Sequence, residues 1–151
     1  MKPATPHLAP MTGAALATVV AIENDIYEFP WTRGNFRDSI DAGYDCSLYV
    51  AGSEVIGYAI VMPAPDEAHL LNLSIARAAQ RCGHGRALLA KVSSAARVHG
   101  AKNMLLEVRP TNVAGRQLYA VTGFSQVGVR RAYYPARGGV REDALVLSRS
   151  L

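Results

Sequence analysis

Apolar side chains recur every three or four residues between residues 12 and 27, a spacing that predicts an amphipathic helix that Thr12 is placed to cap. The segment Phe29-Pro30-Trp31 interrupts this pattern, and Thr32 is placed to cap a second, short helix that ends near residue 42. Two runs rich in branched and aromatic residues follow, separated by a Gly-containing turn. These runs predict a β-hairpin with strands at residues 45–50 and 55–62.

Strands and helices alternate in the second half of the chain. An apolar strand is predicted at residues 67–75, and a loop with two glycines leads to a helix at about residues 83–99. A further strand at residues 103–109 is followed by a helix that Asn112 is placed to cap and that ends near residue 121. The last two apolar runs, at residues 126–134 and 142–148, predict an antiparallel pair.

One domain spanning residues 1–151 accommodates these elements, because the chain contains no linker, repeat or low-complexity tract. Their order predicts an α+β fold in which a central mixed, mostly antiparallel sheet is flanked by about four helices. Residues 1–10 contain three prolines and are expected to form an extended leader that ends in a short edge strand near residues 7–9.

Composition narrows the class of protein. Half of the residues are hydrophobic and 19% are charged, as in ordinary globular proteins. The N-terminal apolar stretch runs into charged residues and has no cleavage signature, so we predict neither a signal peptide nor a membrane span. Cys46 and Cys82 lack the spacing of metal ligands. We expect a cytoplasmic protein without a disulfide or a metal.

The net charge of +4 conceals a separation of charge along the chain. Residues 1–72 contain three basic and nine acidic side chains, whereas residues 73–151 contain thirteen basic and three acidic ones. A basic half suits a polyphosphate ligand or nucleic acid, and an acidic half attracts a cationic partner or only tunes solubility. The basic residues are dispersed and lack interleaved aromatic residues, so nucleic-acid binding is not required to explain them.

The segment Gln80-Arg81-Cys82-Gly83-His84-Gly85-Arg86 joins a predicted strand to a predicted helix, an arrangement typical of an anion site. Glycines let the backbone approach a ligand, and the helix N-terminus presents unpaired N–H groups and a positive dipole end. Leu88 stands where a dinucleotide fingerprint has its third glycine, and the Gly-Lys-Ser/Thr of a Walker loop is absent. The segment therefore predicts another phosphate-containing ligand, or else a plain strand-to-helix turn.

Three polar residues near the strand at residues 103–109 are candidates for chemistry. Glu107 lies in an apolar strand, where burial would raise its pKa toward that of a general base, unless it faces solvent or pairs with Arg109. Tyr119 lies two helical turns beyond Asn112, so its phenol can project toward that strand and donate a proton, or can pack in the core. Asn112 is expected to be a helix cap in either case.

Residues 106–124 spell Leu-Glu-Val-Arg-x-x-Asn-x-x-Gly-x-x-Leu-Tyr-x-x-x-Gly-Phe. Together with the Gln-x-x-Gly-x-Gly loop, this motif resembles the GNAT family of N-acetyltransferases, and within it the bacterial ribosomal-protein alanine N-acetyltransferase group. The resemblance spans roughly residues 12–147 and implies a single GNAT-like domain. Three further segments agree with it: Phe29-Pro30-Trp31-Thr32, Arg130-Arg131-Ala132-Tyr133-Tyr134-Pro135 and Arg141-Glu142-Asp143-Ala144.

The resemblance implies acetyl-CoA as co-substrate and assigns roles to individual residues. Glu107 becomes the general base, acting through a water, and Tyr119 the general acid toward the departing thiolate. The residues implied to bind acetyl-CoA are Leu73, Ser74, Ile75, Arg81, Cys82, Gly83, His84, Gly85, Arg86 and Asn112. The residues implied to border the acceptor peptide are Phe29, Trp31, Tyr133 and Tyr134.

The expected acceptor is the N-terminal amine of a protein, and the resemblance points to the N-terminal alanine of small-subunit ribosomal protein eighteen. An α-amino group with a pKa near 8 is about one tenth neutral at pH 7, so a mild base suffices. The alternatives are a GNAT enzyme that acetylates a lysine side chain or a small amine, and a non-catalytic acyl-CoA-binding regulatory protein.

Other candidate groups are assigned no role in catalysis. Cys82 has no histidine or acid placed beside it by any motif, so acyl-cysteine catalysis is not expected. The histidines also lack the spacing of a triad or a metal site. We expect them on the surface or in loops: His7, His69, His84 and His99.

Overall fold

The computed structural model describes residues 4–151, and one seven-stranded sheet runs through them in the order β1-β2-β3-β4-β5-β7-β6. The strands are β1 (His7–Pro10), β2 (Asp45–Ala51), β3 (Glu54–Ala64), β4 (Glu67–Ile75), β5 (Asn103–Val108), β6 (Ser125–Pro135) and β7 (Arg141–Ser150). Neighbouring strands are antiparallel except for β4 and β5, which are parallel. The predicted mixed, mostly antiparallel sheet is confirmed.

Four α-helices occur in the described residues, as predicted: α1 (Leu16–Ile26), α2 (Arg33–Asp41), α3 (His84–Val98) and α4 (Val113–Val121). The predicted cap of α1 is wrong: the Thr12 side chain makes no capping hydrogen bond, and a 3₁₀ turn at Gly13–Ala15 precedes α1, which begins at Leu16. The predicted cap of α2 is confirmed. The Thr32 hydroxyl accepts from the Asn35 N–H, and the Asn35 side chain accepts from the Thr32 N–H.

Helices α1 and α2 cover one face of the sheet, and helix α3 covers the other. Successive residues of a strand point to opposite faces, and Ile60 belongs to the buried cluster under α1 and α2, whereas Ala59 belongs to the cluster under α3. The first cluster includes the fully buried Phe36 and Tyr58. Two hydrophobic layers therefore hold the sheet from both sides.

The parallel strands β4 and β5 separate after a short paired stretch. Residues 67–70 pair with residues 103–106, but β4 continues to Ile75 and β5 to Val108. A register shift in the β3–β4 pair leaves Leu71 without a partner in β3, and such a bulge bends the strand that carries it. We call the opening between the unpaired ends the β4/β5 split.

The N-terminal segment lies at one edge of the sheet. His7–Pro10 pairs with β2 and forms the expected edge strand, and the first three residues of the predicted leader lie outside the described residues. Within residues 4–151, no helix combines the length and the apolar character needed to cross a membrane.

Candidate active site

A cavity of about 740 Å³ occupies the β4/β5 split, and we call it the split cavity. Its walls are the unpaired ends of β4 and β5, the segment between α1 and α2, the start of α4, and the turn between β6 and β7. Its volume is typical of a small-molecule site. Seven of the residues predicted from the sequence line it: Phe29, Trp31, Leu73, Glu107, Asn112, Tyr119 and Tyr134.

Glu107 on β5 is the carboxylate of the split cavity that contacts both a histidine and an arginine. Its side chain is 9% exposed; Oε2 lies 2.5 Å from Nε2 of His69, and Oε1 accepts from Nε of Arg130 at 3.1 Å. Burial raises the pKa of Glu107, but the hydrogen bonds and charges of His69 and Arg130 outweigh it and lower the pKa below its ordinary value. The predicted rise of this pKa is therefore wrong.

His69 corrects a second expectation. Its contact with Glu107 places its side chain beside the split cavity, whereas a surface or loop position was expected. The two residues are 38 positions apart and meet because β4 and β5 are neighbours in the sheet.

Arg109 does not pair with Glu107, which excludes the alternative that Glu107 only forms an ion pair with Arg109. Its Nη1 donates to Oε1 of Glu142 at 3.1 Å and to the Pro135 carbonyl at 2.8 Å. Its guanidinium lies over the rings of Tyr134, at 4.3 Å, and Phe29, at 5.0 Å. Arg109 therefore connects the end of β5 to two other walls of the split cavity.

Tyr119 on α4 packs in the core and also reaches the split cavity. It is 9% exposed, and its ring meets the edge of Phe124 at a centroid distance of 5.5 Å. Burial, with smaller contributions from Tyr27 and Tyr134, raises its pKa well above the ordinary value of 10.0, so the phenol is protonated at neutral pH. Its hydroxyl makes no hydrogen bond to any residue that the structure describes.

Asn112 has the predicted capping role. Its Oδ1 accepts from the Gly115 N–H at 2.9 Å, and Asn112 also lines the split cavity. A Cβ atom on Gly115 would lie 2.6 Å from Nδ2 of Asn112, so the glycine of the motif leaves room for the cap.

Glu23 on α1 is a wall residue that the sequence reasoning missed. It is 2% exposed, and its carboxylate accepts from the Tyr58 hydroxyl at 2.7 Å, from Nδ2 of Asn72 at 3.1 Å and from the Trp31 N–H at 2.9 Å. An acidic residue within the apolar stripe of α1 was the available signal. Glu23 holds the backbone of Trp31 against the split cavity.

Tyr27 connects the same wall to β4. Its hydroxyl lies 2.7 Å from Oγ of Ser74 and also donates to the Leu73 carbonyl at 3.4 Å. Burial raises the pKa of Tyr27 to about 12, the hydrogen bond with Ser74 opposes the rise, and the charge of Glu23 adds to it. Ser74 is buried and does not line the split cavity, so its side chain is not available to a ligand there.

The loop between β4 and α3 has the features of an anion site. Arg81 and Gly83 have positive φ values of 62° and 82°, and Gln80 ties the loop to β4 by donating to the Ile75 carbonyl at 3.0 Å. The first turn of α3 contains no acidic residue to occupy its unpaired N–H groups. The backbone N–H groups at the start of α3 therefore remain available to an anion.

The two glycines of the segment 80–86 differ in what a side chain at each position would meet. A Cβ on Gly83 would meet nothing within 4 Å, so its positive φ is what requires glycine. A Cβ on Gly85 would point at Leu118, 3.6 Å away, and at Ile75. Gly85 therefore faces the interior of the protein.

Several predicted site residues lie outside the split cavity. Cys82 is exposed, and His84 packs its ring edgewise against Tyr49, at a centroid distance of 6.0 Å. Tyr133 is exposed and meets Tyr134 edge-on at 4.9 Å, so it supports a wall residue. The rest of the set belongs to the end of β4, to the loop or to the first turn of α3: Ser74, Ile75, Arg81, Gly83, Gly85 and Arg86. Among residues 4–151, no group of three or more His, Cys, Asp or Glu side chains is arranged to hold a metal ion.

Comparison with known proteins relates this arrangement to a family. The model of the acetyltransferase (GNAT) family matches residues 16–124. The chain is 35% identical over 127 residues to the [ribosomal protein bS18]-alanine N-acetyltransferase of Haemophilus influenzae. This match covers 84% of this chain and 86% of that protein. The crystal structure of the ribosomal-protein-S18-alanine N-acetyltransferase of Escherichia coli matches with a TM-score of 0.88 and 30% identity over 97% of this chain and 94% of that one. A Bacillus subtilis acetyltransferase in complex with CoA shares the fold, with a TM-score of 0.75, 17% identity and 99% of each chain covered.

Proposed function

The chain belongs to the GNAT family of acetyltransferases, and we propose that it transfers the acetyl group of acetyl-CoA to the N-terminal α-amino group of a protein. We propose the N-terminal alanine of ribosomal protein S18 as the acceptor, because similar proteins that span most of the chain carry that activity in their names. The reaction would then take place in the cytoplasm, where ribosomal proteins are made.

The observation that carries this proposal is that Glu107 and Tyr119 both line the split cavity, where their surroundings favour an ionised carboxylate and a protonated phenol. One group accepts hydrogen bonds or protons and the other donates them. Acyl transfer to an amine needs both, because the amine loses a proton and the thiolate gains one.

The donor substrate is acetyl-CoA, and the chain offers it two backbone surfaces. Residues 73–75 pair with β3 on one side but with no residue of β5 on the other. The carbonyls of Leu73 and Ile75 accept from Tyr27 and Gln80, so N–H groups on that edge would bind an extended ligand. The N–H groups of residues 81–86 would hold the pyrophosphate at the start of α3.

Glu107 would remove the proton of the amine through a water. Its lowered pKa makes it a weak base, but a weak base is sufficient when the proton leaves after attack on the thioester, since a cationic amide nitrogen is far more acidic than an ammonium group. As the C–N bond forms and the C–S bond breaks, Tyr119 donates to the departing sulfur. Because burial raises the pKa of Tyr119, the phenol would stabilise the developing thiolate as a hydrogen-bond donor rather than as a strong acid.

The acceptor end of the split cavity would favour a cationic peptide. The ionisable wall residues other than tyrosine are four acids, Glu23, Glu28, Glu107 and Glu142, and two cations, Arg109 and Arg137. Phe29, Trp31 and Tyr134 add apolar surface for the first side chains of the acceptor. Such a peptide would carry basic residues after its N-terminal alanine.

A panel of acceptors tests this function. The protein is incubated with acetyl-CoA and an S18 N-terminal peptide, the same peptide with a blocked α-amine and an intact lysine, or a small amine, and products are identified by mass. We expect acetylation of the free N-terminal alanine, with Glu107→Gln strongly impaired and the exposed Glu67→Gln variant unaffected. Faster acetylation of lysine or of the small amine would overturn the proposed acceptor, and no transfer to any amine would overturn the proposed reaction.

A further inference from the structure

We propose that His69 is a positioning residue that acts through Glu107, holding its carboxylate at the point where β4 and β5 separate. This inference rests on the proposed function, in which Glu107 is the base. His69 itself does not line the split cavity, so its role is exerted through the carboxylate that does.

The contact between these side chains bridges the two strands where their backbone pairing ends. His69 is directly opposite Leu105, and Glu107 lies two residues further along β5. The last paired residues are Leu70 and Leu106, so the hydrogen bond reaches across the final pair. Beyond it no backbone bond joins β4 to β5, and the side-chain contact fixes Glu107 at the closed end of the β4/β5 split.

The charge state of Glu107 sets the direction of the hydrogen bond. An ionised carboxylate can only accept, so Nε2 of His69 must carry the hydrogen that points to Oε2. Nε of Arg130 donates to Oε1. Each oxygen is thereby fixed by one donor and keeps a further lone pair for a water in the split cavity.

The groups that face Glu107 come from two strands, β4 and β6, and His69 is the more enclosed of its two hydrogen-bond donors. His69 of β4 has a side chain that is 22% exposed, whereas that of Arg130 on β6 is 57% exposed and its charge is more strongly screened by solvent. Tyr134 on β6 is a third neighbour. Burial raises the pKa of Tyr134, and the negative charge of Glu107 raises it further. Removal of His69 would leave Glu107 with one exposed partner.

Two variants separate positioning from a merely structural role. His69→Ala removes the donor, and His69→Gln places an amide N–H near the position of Nε2. Both are compared with the wild type and with His7→Ala, a matched change at an exposed histidine of β1. The measurements are kcat and KM with acetyl-CoA and the S18 peptide across pH, and an NMR titration of the Glu107 carboxyl in the intact protein.

We expect His69→Ala to lower kcat about tenfold, the effect of losing one hydrogen bond to a charged group, without changing KM for acetyl-CoA. The titration of Glu107 and the acid limb of kcat should move to higher pH, because burial then acts on the carboxylate with less opposition. His69→Gln should recover most of kcat, and His69→Ala should cause no further loss in a Glu107→Gln background.

A wild-type kcat and an unchanged Glu107 titration in His69→Ala would overturn the inference. The inference would also be overturned if His69→Ala lowered kcat by the same factor in the wild type and in the Glu107→Gln background. If the wild-type protein acetylates no α-amine, the proposed function fails on its own, and the NMR titration still decides whether His69 controls Glu107.

Discussion

Two carboxylates of the split cavity show how the surroundings of a residue decide what it does. Glu107 faces His69 and Arg130, which keep it ionised and fixed. Glu23 accepts three hydrogen bonds, all from neutral donors, one of which is the backbone N–H of Trp31. We therefore assign proton removal to Glu107. We assign to Glu23 the positioning of Trp31 in the acceptor wall, the part of the split cavity formed by Phe29, Trp31 and Tyr134.

The lowered pKa of Glu107 predicts how stability depends on pH. The folded-state pKa lies below the ordinary value of 4.5, so the ionised form stabilises the fold fully above that value, and this contribution disappears as the pH falls through the folded-state pKa. We expect the difference in Tm between the wild type and Glu107→Gln to be largest near neutral pH and to shrink below about pH 5. Thermal unfolding at a series of pH values measures it, and a difference that stays constant down to pH 3 would count against the assigned surroundings.

Replacement of Tyr119 by Phe should separate chemistry from packing. The ring keeps its contact with Phe124, so Tm should change little, while loss of the hydroxyl should lower kcat by about tenfold or more. Steady-state kinetics with acetyl-CoA and the S18 peptide, alongside thermal unfolding, measure both effects. A variant with undiminished kcat would remove Tyr119 from the mechanism.

Residue-level prediction from the sequence worked where a local motif carried the information. The spacing between Glu107, Asn112 and Tyr119 follows from a strand, a turn and a helix that are adjacent in the chain, and all three residues line the split cavity. The contact of His69 with Glu107 could not be predicted, because it depends on the pairing of β4 with β5, which are separated in the chain by a loop and a helix.

At the scale of elements, too, local features such as the loop between β4 and α3 could be predicted, whereas features that depend on strand pairing could not. Its position and its glycines could be predicted because turns and helix N-termini have local signatures. The separation of β4 from β5 could not, because it depends on a bulge at Leu71 against β3 and on where the parallel pairing stops. The predicted elements therefore had the right order, but not the opening that makes the split cavity.

The two glycines of this loop provide a matched test. Gly83→Ala forces a Cβ residue into a left-handed conformation with φ of 82°, which should cost about 1 kcal/mol and raise KM for acetyl-CoA several-fold by distorting the loop. Gly85→Ala adds a methyl group at ordinary contact distance from Leu118, so it should change stability and KM little. Chemical denaturation and steady-state kinetics measure both variants. Equal effects of the two substitutions would contradict the different roles assigned to these glycines.

At the scale of the whole molecule, the separation of charge along the sequence becomes a separation in space. Helix α1, helix α2 and the segment between them hold five of the twelve acidic residues of the chain, whereas α3 and α4 contain basic side chains and no acidic ones. The acceptor wall belongs to the acidic side, and the loop proposed for the pyrophosphate leads into α3. Donor and acceptor would thus approach surfaces of opposite charge.

This arrangement predicts selection among acceptors by charge. A peptide with N-terminal alanine followed by basic residues should have a lower KM than one with acidic residues at the same positions, and added salt should reduce the difference because it screens exposed charges. Kinetics with the two peptides at low and high ionic strength measure the effect. Equal KM values at low salt would show that the acidic side does not select the acceptor.

The most direct test of the proposed site is a crystal structure of the protein with a bisubstrate analogue in which CoA is joined to the N-terminal amine of an alanine peptide. We expect the pyrophosphate on the backbone of residues 81–86, the linked amine beside Glu107, and the sulfur within hydrogen-bonding distance of the Tyr119 hydroxyl. The peptide should leave the split cavity between Trp31 and Tyr134. An analogue bound with its reacting atoms outside the β4/β5 split would contradict the account.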